Sequence, residues 1–179
     1  MIAAVILAAG ASERFGAVKQ RILLGPVLER VRASSVDACV VVLGAHEVET
    51  NARIVRCDTW EQGPGASLRC GLEALPAEAE AAVIVLADGP FISPLAIDRV
   101  IEAWRSGAGE TFAASYGGER SHPVLLGRSV WGDVPDQGAR ALDPVLVPCD
   151  DLGEPGDVDY PEDLPPELRA ESGEPTVSP

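Results

Sequence analysis

The sequence predicts a single α/β domain whose sheet is mostly parallel, with one antiparallel excursion. Three observations point there. Apolar runs of strand length alternate with stretches of helical periodicity. The runs at residues 3–8, 38–43 and 82–87 are continuous in Val, Ile, Leu and Ala rather than alternating, the pattern of strands buried on both faces. The length, 179 residues, suffices for one core of ordinary size without metal or disulfide staples.

The opening segment Met1 to Ala9 is apolar but has no basic leading region and runs straight into Gly10, so it reads as the first strand and not as a signal peptide. A helix is expected over residues 26–33, starting at Pro26, followed by the strand 38–43. Only eight residues separate Gly44 from Arg53, fewer than a parallel crossover normally needs. Any helix there is about one turn, or the short strand candidate at Ile54-Val55 is marginal. Residues 66–75 read as a helix with Leu68, Leu72 and Leu75 on one face. Residues 82–87 form the best strand of the chain. Ser93 is a fitting N-cap and Pro94 a first helical residue for a helix over 94–104, with Ile97, Ile101 and Trp104 as its stripe. The Gly117-Gly118 turn between strands at 111–116 and 122–126 is the antiparallel excursion. Two short segments follow, 128–132 and 137–142, the second capped by Asp136, and then a strand at 145–148. No internal repeat is visible. The domain is expected to cover residues 1–168, and residues 169–179 read as a disordered acidic, Pro-rich tail.

Charge narrows the partners. The net charge is −14, and residues 150–179, with ten acids against Arg169, carry −9 of it. Nucleic acids and anionic membranes need clustered Lys and Arg, so neither is an expected partner. No apolar run approaches the ~20 residues of a membrane span, and a cytoplasmic address is the expectation. Thirteen Arg accompany a single Lys, Lys19. Cys39, Cys57, Cys70 and Cys149 include no C-x-x-C pair, and His46 and His122 lie far from them. Neither a zinc site nor a disulfide framework is expected. Cys39, inside an apolar run, reads as a small buried hydrophobe.

Three segments carry the candidate chemistry. The first strand runs into Leu7-Ala8-Ala9-Gly10-Ala11-Ser12-Glu13-Arg14-Phe15-Gly16-Ala17-Val18-Lys19. Small residues there let the backbone approach a ligand, successive N–H groups can form an anion nest, and Arg14 and Lys19 can neutralise phosphates. Asp88, in Leu86-Ala87-Asp88-Gly89-Pro90, follows the best strand. Ligands of open α/β sheets bind there, and a hard oxygen ligand suits Mg²⁺. Gln62-Gly63-Pro64-Gly65-Ala66-Ser67-Leu68 feeds a helix N-terminus, which favours anions or base edges. Taken singly, the loop is equally a plain β–α turn, Asp88 a turn-capping carboxylate, the Gly-rich segment an ordinary capped helix and His122 a core or turn histidine.

Together these segments resemble the MobA-like nucleotidyltransferases, which include the molybdenum-cofactor cytidylyl- and guanylyltransferases. Leu7 to Lys19 is similar to the signature L-A-A-G-x-S-x-R-x-G-x-x-K. Asp88-Gly89-Pro90 resembles the family's Asp-x-Pro, and residues 63–72 its G-x-x-x-S-L-x-x-G-L. Gly118 to Val124 resembles G-x-x-G-H-P, with Ser121 where Gly is usual, and Asp136 to Arg140 resembles the G-D-x-G-A-R turn. Asp157-Val158-Asp159-Tyr160-Pro161-Glu162-Asp163-Leu164 resembles D-I-D-T-P-E-D-L, with Tyr160 in place of the capping Thr.

The resemblance implies a Rossmann-like three-layer αβα sandwich of the nucleotide-diphospho-sugar transferase, or GT-A-like, type. It implies an Mg²⁺-dependent transfer of NMP from CTP or GTP, CTP first, to a phosphate-bearing acceptor of molybdopterin type, with release of pyrophosphate. The implied catalytic residues are Lys19, Arg14 and Asp88, with Asp88 and Asp159 as metal ligands. Leu7, Ala8, Ala9, Gly10, Ser12, Gly16, Gly63, Gly65 and Ser67 would bind the nucleotide, and Arg120, His122 and Arg140 the acceptor. A partner molybdoenzyme or chaperone is left unspecified. A sugar-phosphate or polyol-phosphate nucleotidyltransferase and a degenerate, non-catalytic nucleotide-binding protein are the alternatives. The stretch after Lys19, where residues 20–28 compress a longer strand-like segment, and the trimmed Gly44 to Arg53 crossover depart from the family pattern.

Overall fold

The structure is a computed structural model that describes residues 1–12 and 15–169. Glu13, Arg14 and residues 170–179 lie outside the described residues, so the role expected of Arg14 and the expected tail beyond Arg169 fall there.

Seven strands form one sheet in the order β3-β2-β1-β4-β6-β5-β7. They are β1 (Ile2–Ala8), β2 (Ala38–Leu43), β3 (Arg53–Arg56), β4 (Ala81–Leu86), β5 (Thr111–Tyr116), β6 (Glu119–Gly127) and β7 (Val145–Pro148). Only β6 runs against its neighbours: it pairs antiparallel with both β4 and β5, and every other pairing is parallel. The continuous apolar runs occupy the centre. β1 pairs with β2 on one side and β4 on the other, and both of its faces are buried.

Helices α1 (Gln20–Arg32) and α3 (Pro94–Arg105) cover one face, and α2 (Pro64–Glu73) covers the other. Ile2, Ala4 and Ile6 pack with α1 and α3, whereas Ala3 and Val5 pack beneath Leu68 and Leu72 of α2. This is the expected αβα sandwich. Gly71 lets α2 lie close on the sheet, because a Cβ there would collide with Val5 Cγ1 and stand 2.8 Å from Val42 Cγ2.

Several local expectations are corrected. Helix α1 begins at Gln20, six residues before the expected start, and holds Pro26 in its interior. An interior proline costs about 3 kcal/mol. Leu23, Leu24, Val27, Leu28 and Val31 are buried along one stripe, each contributing roughly 1.5–3 kcal/mol, so burial outweighs the lost donor. Residues 20–28 are therefore helix, not a compressed strand-like segment. The Gly44 to Arg53 connection contains no helix, and β3 is a short, mostly exposed edge strand. Helix α2 starts at Pro64, two residues before the expected start. Ser93 occupies the N-cap of α3 but makes no side-chain cap hydrogen bond. Residues 137–142 form only a 3-10 turn over Gly138–Ala141. Asp136 does not cap it, and its carboxylate instead meets Arg69 at 3.0 Å. The last described element, α4 (Pro166–Arg169), reaches Arg169, one residue into the expected tail.

Cysteine pairing also departs from expectation. Cys57 and Cys70 form a disulfide across 13 residues. The 3-10 turn Trp60–Gln62 folds the end of β3 back onto α2, bringing the two Cα atoms to 5.8 Å, within bridging range. Their spacing carries no C-x-x-C signal, so only the fold brings them together. Cys39 is partly buried against the core and Cys149 is fully buried, both as free thiols.

Candidate active site

The chain runs from β1 to β2 and β3 on one side and then returns to β4 on the other, so adjacent β1 and β4 diverge in their onward connections. Such a switch point opens a crevice at the carboxyl ends of the strands. The loop after β1 and Asp88 after β4 meet there, with the Ala87 N–H donating to the Leu7 carbonyl at 3.0 Å. Because β6 is antiparallel, its first residues, among them Arg120 and His122, arrive at this same rim. The returning chain completes the wall: Val158 N–H donates to the Asp88 carbonyl at 3.0 Å, and Phe91 N–H to the Pro155 carbonyl at 2.9 Å.

The resulting cleft has a volume of about 330 Å³ and is lined by Leu7, Ala8, Gly10, Ala11, Ser12, Phe15, Lys19, Gln20, Ala87, Asp88 and Asp159. Lys19 is at its centre. Its Nζ donates to the Val158 carbonyl at 2.8 Å, lies 3.2 Å from Asp88 Oδ2, and lies 3.5 Å from Asp159 Oδ1. The lysine side chain is 13% exposed against 30% for Asp88 and 41% for Asp159, so the charges are set at the cleft wall rather than in bulk water. Asp88 Oδ1 is buried and has no hydrogen-bond partner among the described residues. Among those residues no group of three or more His, Cys, Asp and Glu side chains could hold a metal by itself.

A second pocket of about 410 Å³ adjoins. Leu7, Ile84, Leu86 and Val124 give it an apolar floor, and Arg120, His122, Gln137, Arg140 and Asp157 stand around it. His122 presents part of its ring to the pocket while its Nε2 is buried without a hydrogen-bond partner among the described residues. A Cβ on Gly89 would stand 2.6 Å from that nitrogen, so only glycine fits beside it. Burial lowers the His122 pKa, against the opposing pull of Asp157 and Asp88. The Asp157 carboxyl is held above the usual carboxylate range, first by burial of its inner face and then by the negative charge of Asp88.

The expected site residues divide clearly. Leu7, Ala8, Gly10, Ser12, Lys19, Asp88 and Asp159 converge on the first cleft, and His122 and Arg140 on the second. Ala9 sits behind the loop, where its carbonyl accepts from Ala45 N–H at 3.2 Å. Gly16 has φ 73 but does not line the cleft, and neither do Gly63, Gly65 and Ser67. Gly65 is a packing glycine: its N–H donates to the Asp136 carbonyl at 2.9 Å, and a Cβ would collide with the Pro135 carbonyl oxygen. Ser67 is 5% exposed. Arg120 spends its guanidinium on the backbone, donating to the carbonyls of Ala139 at 2.6 Å, Leu142 at 2.7 Å and Arg140 at 3.1 Å.

Two residues escaped the sequence reading. Gln20 is 3% exposed and hydrogen-bonded to the loop. Its signal was present, since it begins the stripe Gln20, Leu23, Leu24, Val27, Leu28 and Val31, a polar side chain on an apolar face. Asp157 alternates with Asp159 about the buried Val158, so the pair serves the two neighbouring pockets.

Comparison with known proteins bears on the family and the fold. The model of the MobA-like NTP transferase domain matches residues 4–146. The bifunctional protein GlmU of Rubrobacter xylanophilus is 29% identical over 140 residues; the match takes 70% of this chain, which spans only 29% of that protein's length. The crystal structure of an Rv0371c homologue from Mycobacterium sp. strain JC1 superposes with a TM-score of 0.76 at 26% identity, covering 94% of this chain and 96% of the other. The Rv0371c complex with manganese from Mycobacterium tuberculosis has the same fold, with a TM-score of 0.64 at 23% identity, covering 83% of this chain and 88% of that one. No helix among the described residues is long and apolar enough to cross a membrane.

Proposed function

The chain belongs to the MobA-like NTP transferase family and is a nucleotidyltransferase, and from this premise we propose that it transfers CMP from CTP, in preference to GMP from GTP, to the phosphate of a molybdopterin-type acceptor, releasing pyrophosphate. The observation that carries this reading is Lys19 held between Asp88 and Asp159 at the β1–β4 crevice.

The two carboxylates fit a divalent cation, Mg²⁺ in this reading. The orphaned, buried Asp88 Oδ1 is a hard oxygen ligand in want of a partner, and two protein carboxylates with phosphate oxygens and water are how Mg²⁺ is usually held. When bound, the ion neutralises phosphate charge and acts as a Lewis acid. The chain's own residues do the rest by position and charge. The loop at 10–12 receives the phosphates. Lys19, drawn from its carboxylates, steadies the charge that develops on the departing pyrophosphate, with Arg14 in the same role. An acceptor phosphate is already ionised, so no general base is needed.

In the adjoining pocket, Arg140 is exposed and free to meet the acceptor's anionic group. Arg120, committed to three carbonyls, positions the 139–142 turn that carries Arg140. The preference for CTP rests on the resemblance at Ser67 to Leu72 and His122-Pro123, not on a contact of Ser67 with the cleft.

The test supplies purified protein with Mg²⁺, CTP or GTP, and either the molybdopterin cofactor or a panel of sugar and polyol phosphates, and measures pyrophosphate. Release only with a sugar or polyol phosphate reassigns the acceptor, faster turnover of GTP reverses the base preference, and NTP binding without any release leaves a non-catalytic nucleotide-binding protein.

A further inference from the structure

The loop that lines the proposed nucleotide cleft is held from both sides by groups outside the family signature. The Gln20 side chain makes two 2.8 Å hydrogen bonds to it: Nε2 donates to the Gly10 carbonyl, and Oε1 accepts from the Ser12 hydroxyl. From the β2 side, His46 Nε2 donates to the Ala11 carbonyl at 2.8 Å, and the Ala45 N–H donates to the Ala9 carbonyl at 3.2 Å. Four consecutive residues are thus fixed, alternately by the connection after β2 and by the first residue of α1. Ser12 has φ 55, a left-handed conformation that an L-residue keeps only when its surroundings over-determine it. Among the described residues, the N–H groups of Gly10, Ala11 and Ser12 have no hydrogen-bond acceptor. The carbonyls are turned away and tied down while these donors remain available, which is how a backbone anion nest is made.

We propose that Gln20 and His46 are positioning residues that preset the 9–12 loop for the nucleotide's phosphates, an inference that rests on the reading of the β1–β4 crevice as the nucleotide site. The trimmed crossover then has a use. Too short for a helix, it runs directly from β2 to place Ala45 and His46 against the loop. Gly44 permits the approach, since a Cβ there would stand 2.8 Å from the Ala9 carbonyl oxygen. Gln20 adjoins Lys19, the residue that precedes α1, so the same clamp fixes where the lysine starts. Binding to a preset loop avoids the ordering cost that a loose one would carry into the affinity.

The test compares wild type with Gln20→Leu, His46→Ala, His46→Gln and Ser12→Ala, reading the Kd for CTP with Mg²⁺ by calorimetry and the amide hydrogen exchange of Ala45 and Phe15, whose N–H groups donate to the loop carbonyls of Ala9 and Ser12. Gln20→Leu and His46→Ala are each expected to weaken CTP about tenfold and to speed exchange at these loop-bound amides. His46→Gln, which keeps an N–H donor, recovers most of both. Unchanged affinity and exchange in folded variants would overturn the proposal, as would a His46→Gln no better than His46→Ala. Should Gln20→Leu fail to fold, Ser12→Ala removes only the hydroxyl that meets Gln20, and wild-type affinity and exchange in that variant also overturn it. Wild type that binds no NTP refutes the functional reading, and loop exchange still decides the clamp.

Discussion

Lys19 Nζ lies 3.2 Å from Asp88 Oδ2 while the other oxygen of that carboxylate is buried without a hydrogen-bond partner among the described residues. One monovalent ammonium therefore stands where a pair of carboxylates could hold a doubly charged ion. In the proposed function the lysine serves the carboxylates until a triphosphate offers it a stronger counter-charge. Lys19→Met is accordingly expected to bind Mn²⁺ more tightly than wild type when nucleotide is absent, and CTP at least tenfold more weakly. Electron paramagnetic resonance of free Mn²⁺ and calorimetry of CTP check the two arms; metal affinity unchanged by the substitution would mean that the ion pair does not compete with the cation.

Asp88→Asn keeps the shape of the side chain and removes the charge a hard cation seeks. Pyrophosphate release is expected to fall by roughly 10²–10³-fold, on the scale of a lost electrostatic stabiliser. Asp159→Asn, at the more exposed end of the site, falls less. A titration of Mg²⁺ against rate gives the answer, and an Asp88→Asn enzyme with wild-type metal dependence contradicts the assignment.

The two arginines of the second pocket separate by readout. Arg120→Ala strands three backbone carbonyls. Hydrogen bonds to a charged donor contribute about 1.5–3 kcal/mol each at most, partly replaced by water, so a loss of about 2 kcal/mol, or about 4–8 °C in Tm, is expected. Arg140→Ala leaves Tm unchanged and raises the acceptor KM. Calorimetric melting together with acceptor kinetics distinguishes them, and equal melting temperatures refute the structural role of Arg120.

His122 carries a pH signature. Its pKa lies below the ordinary 6.5 because the ring is buried. Below 6.5 the unfolded chain binds a proton that the native chain refuses, so this contribution to stability is complete above 6.5 and is lost as pH falls through the native value. Asp157, raised above 3.8, has the opposite sign: its contribution is complete below 3.8 and is lost as pH rises through its native value. Tm measured from pH 7.5 downward should therefore decline below about 6.5 in wild type and in Asp157→Asn, and flatten in His122→Gln. A decline of the same slope in His122→Gln assigns the limb to another group.

Cys57 and Cys70 close a loop across 13 residues. A cross-link of that size is worth about 3 kcal/mol in the chain-entropy account. Unfolded, unreduced protein should react with two equivalents of maleimide, at Cys39 and Cys149, and reduced protein with four. The Cys57→Ser, Cys70→Ser variant should melt lower. Four reactive thiols before reduction would exclude the cross-link.

The central sheet was legible because its strands are buried on both faces and so leave uninterrupted Val, Ile and Ala runs, as in β1, β2 and β4. Asp88 stood out because it directly follows such a strand, and Lys19 because it is the single lysine and ends the loop after β1. What was not legible depended on contacts distant in sequence. Pro26 reads as a helix start until the buried stripe beginning at Gln20 is seen to outweigh it. Asp136 reads as a cap, yet Arg69 takes its carboxylate, and Tyr160 loses the capping Thr while Asp163 Oδ2 accepts from its N–H at 2.8 Å. Arg120 reads as an acceptor ligand by its position, and only the 139–142 turn reveals that its donors are already engaged. Cys57 and Cys70 meet because a 3-10 turn, not a motif, reverses the chain between them.

The reversed direction of β6 has an architectural consequence. Both pockets share the ends of β1 and β4, but only the second takes residues from the beginning of β6, just after a Gly117-Gly118 turn whose glycines have open space around them. The β5–β6 hairpin can thus be lengthened, shortened or recoded without shifting the register of the β1–β4 pair. Its tip is a modular port: if the second pocket takes the acceptor as proposed, an engineer seeking new acceptor chemistry would graft loops there and leave the first cleft untouched.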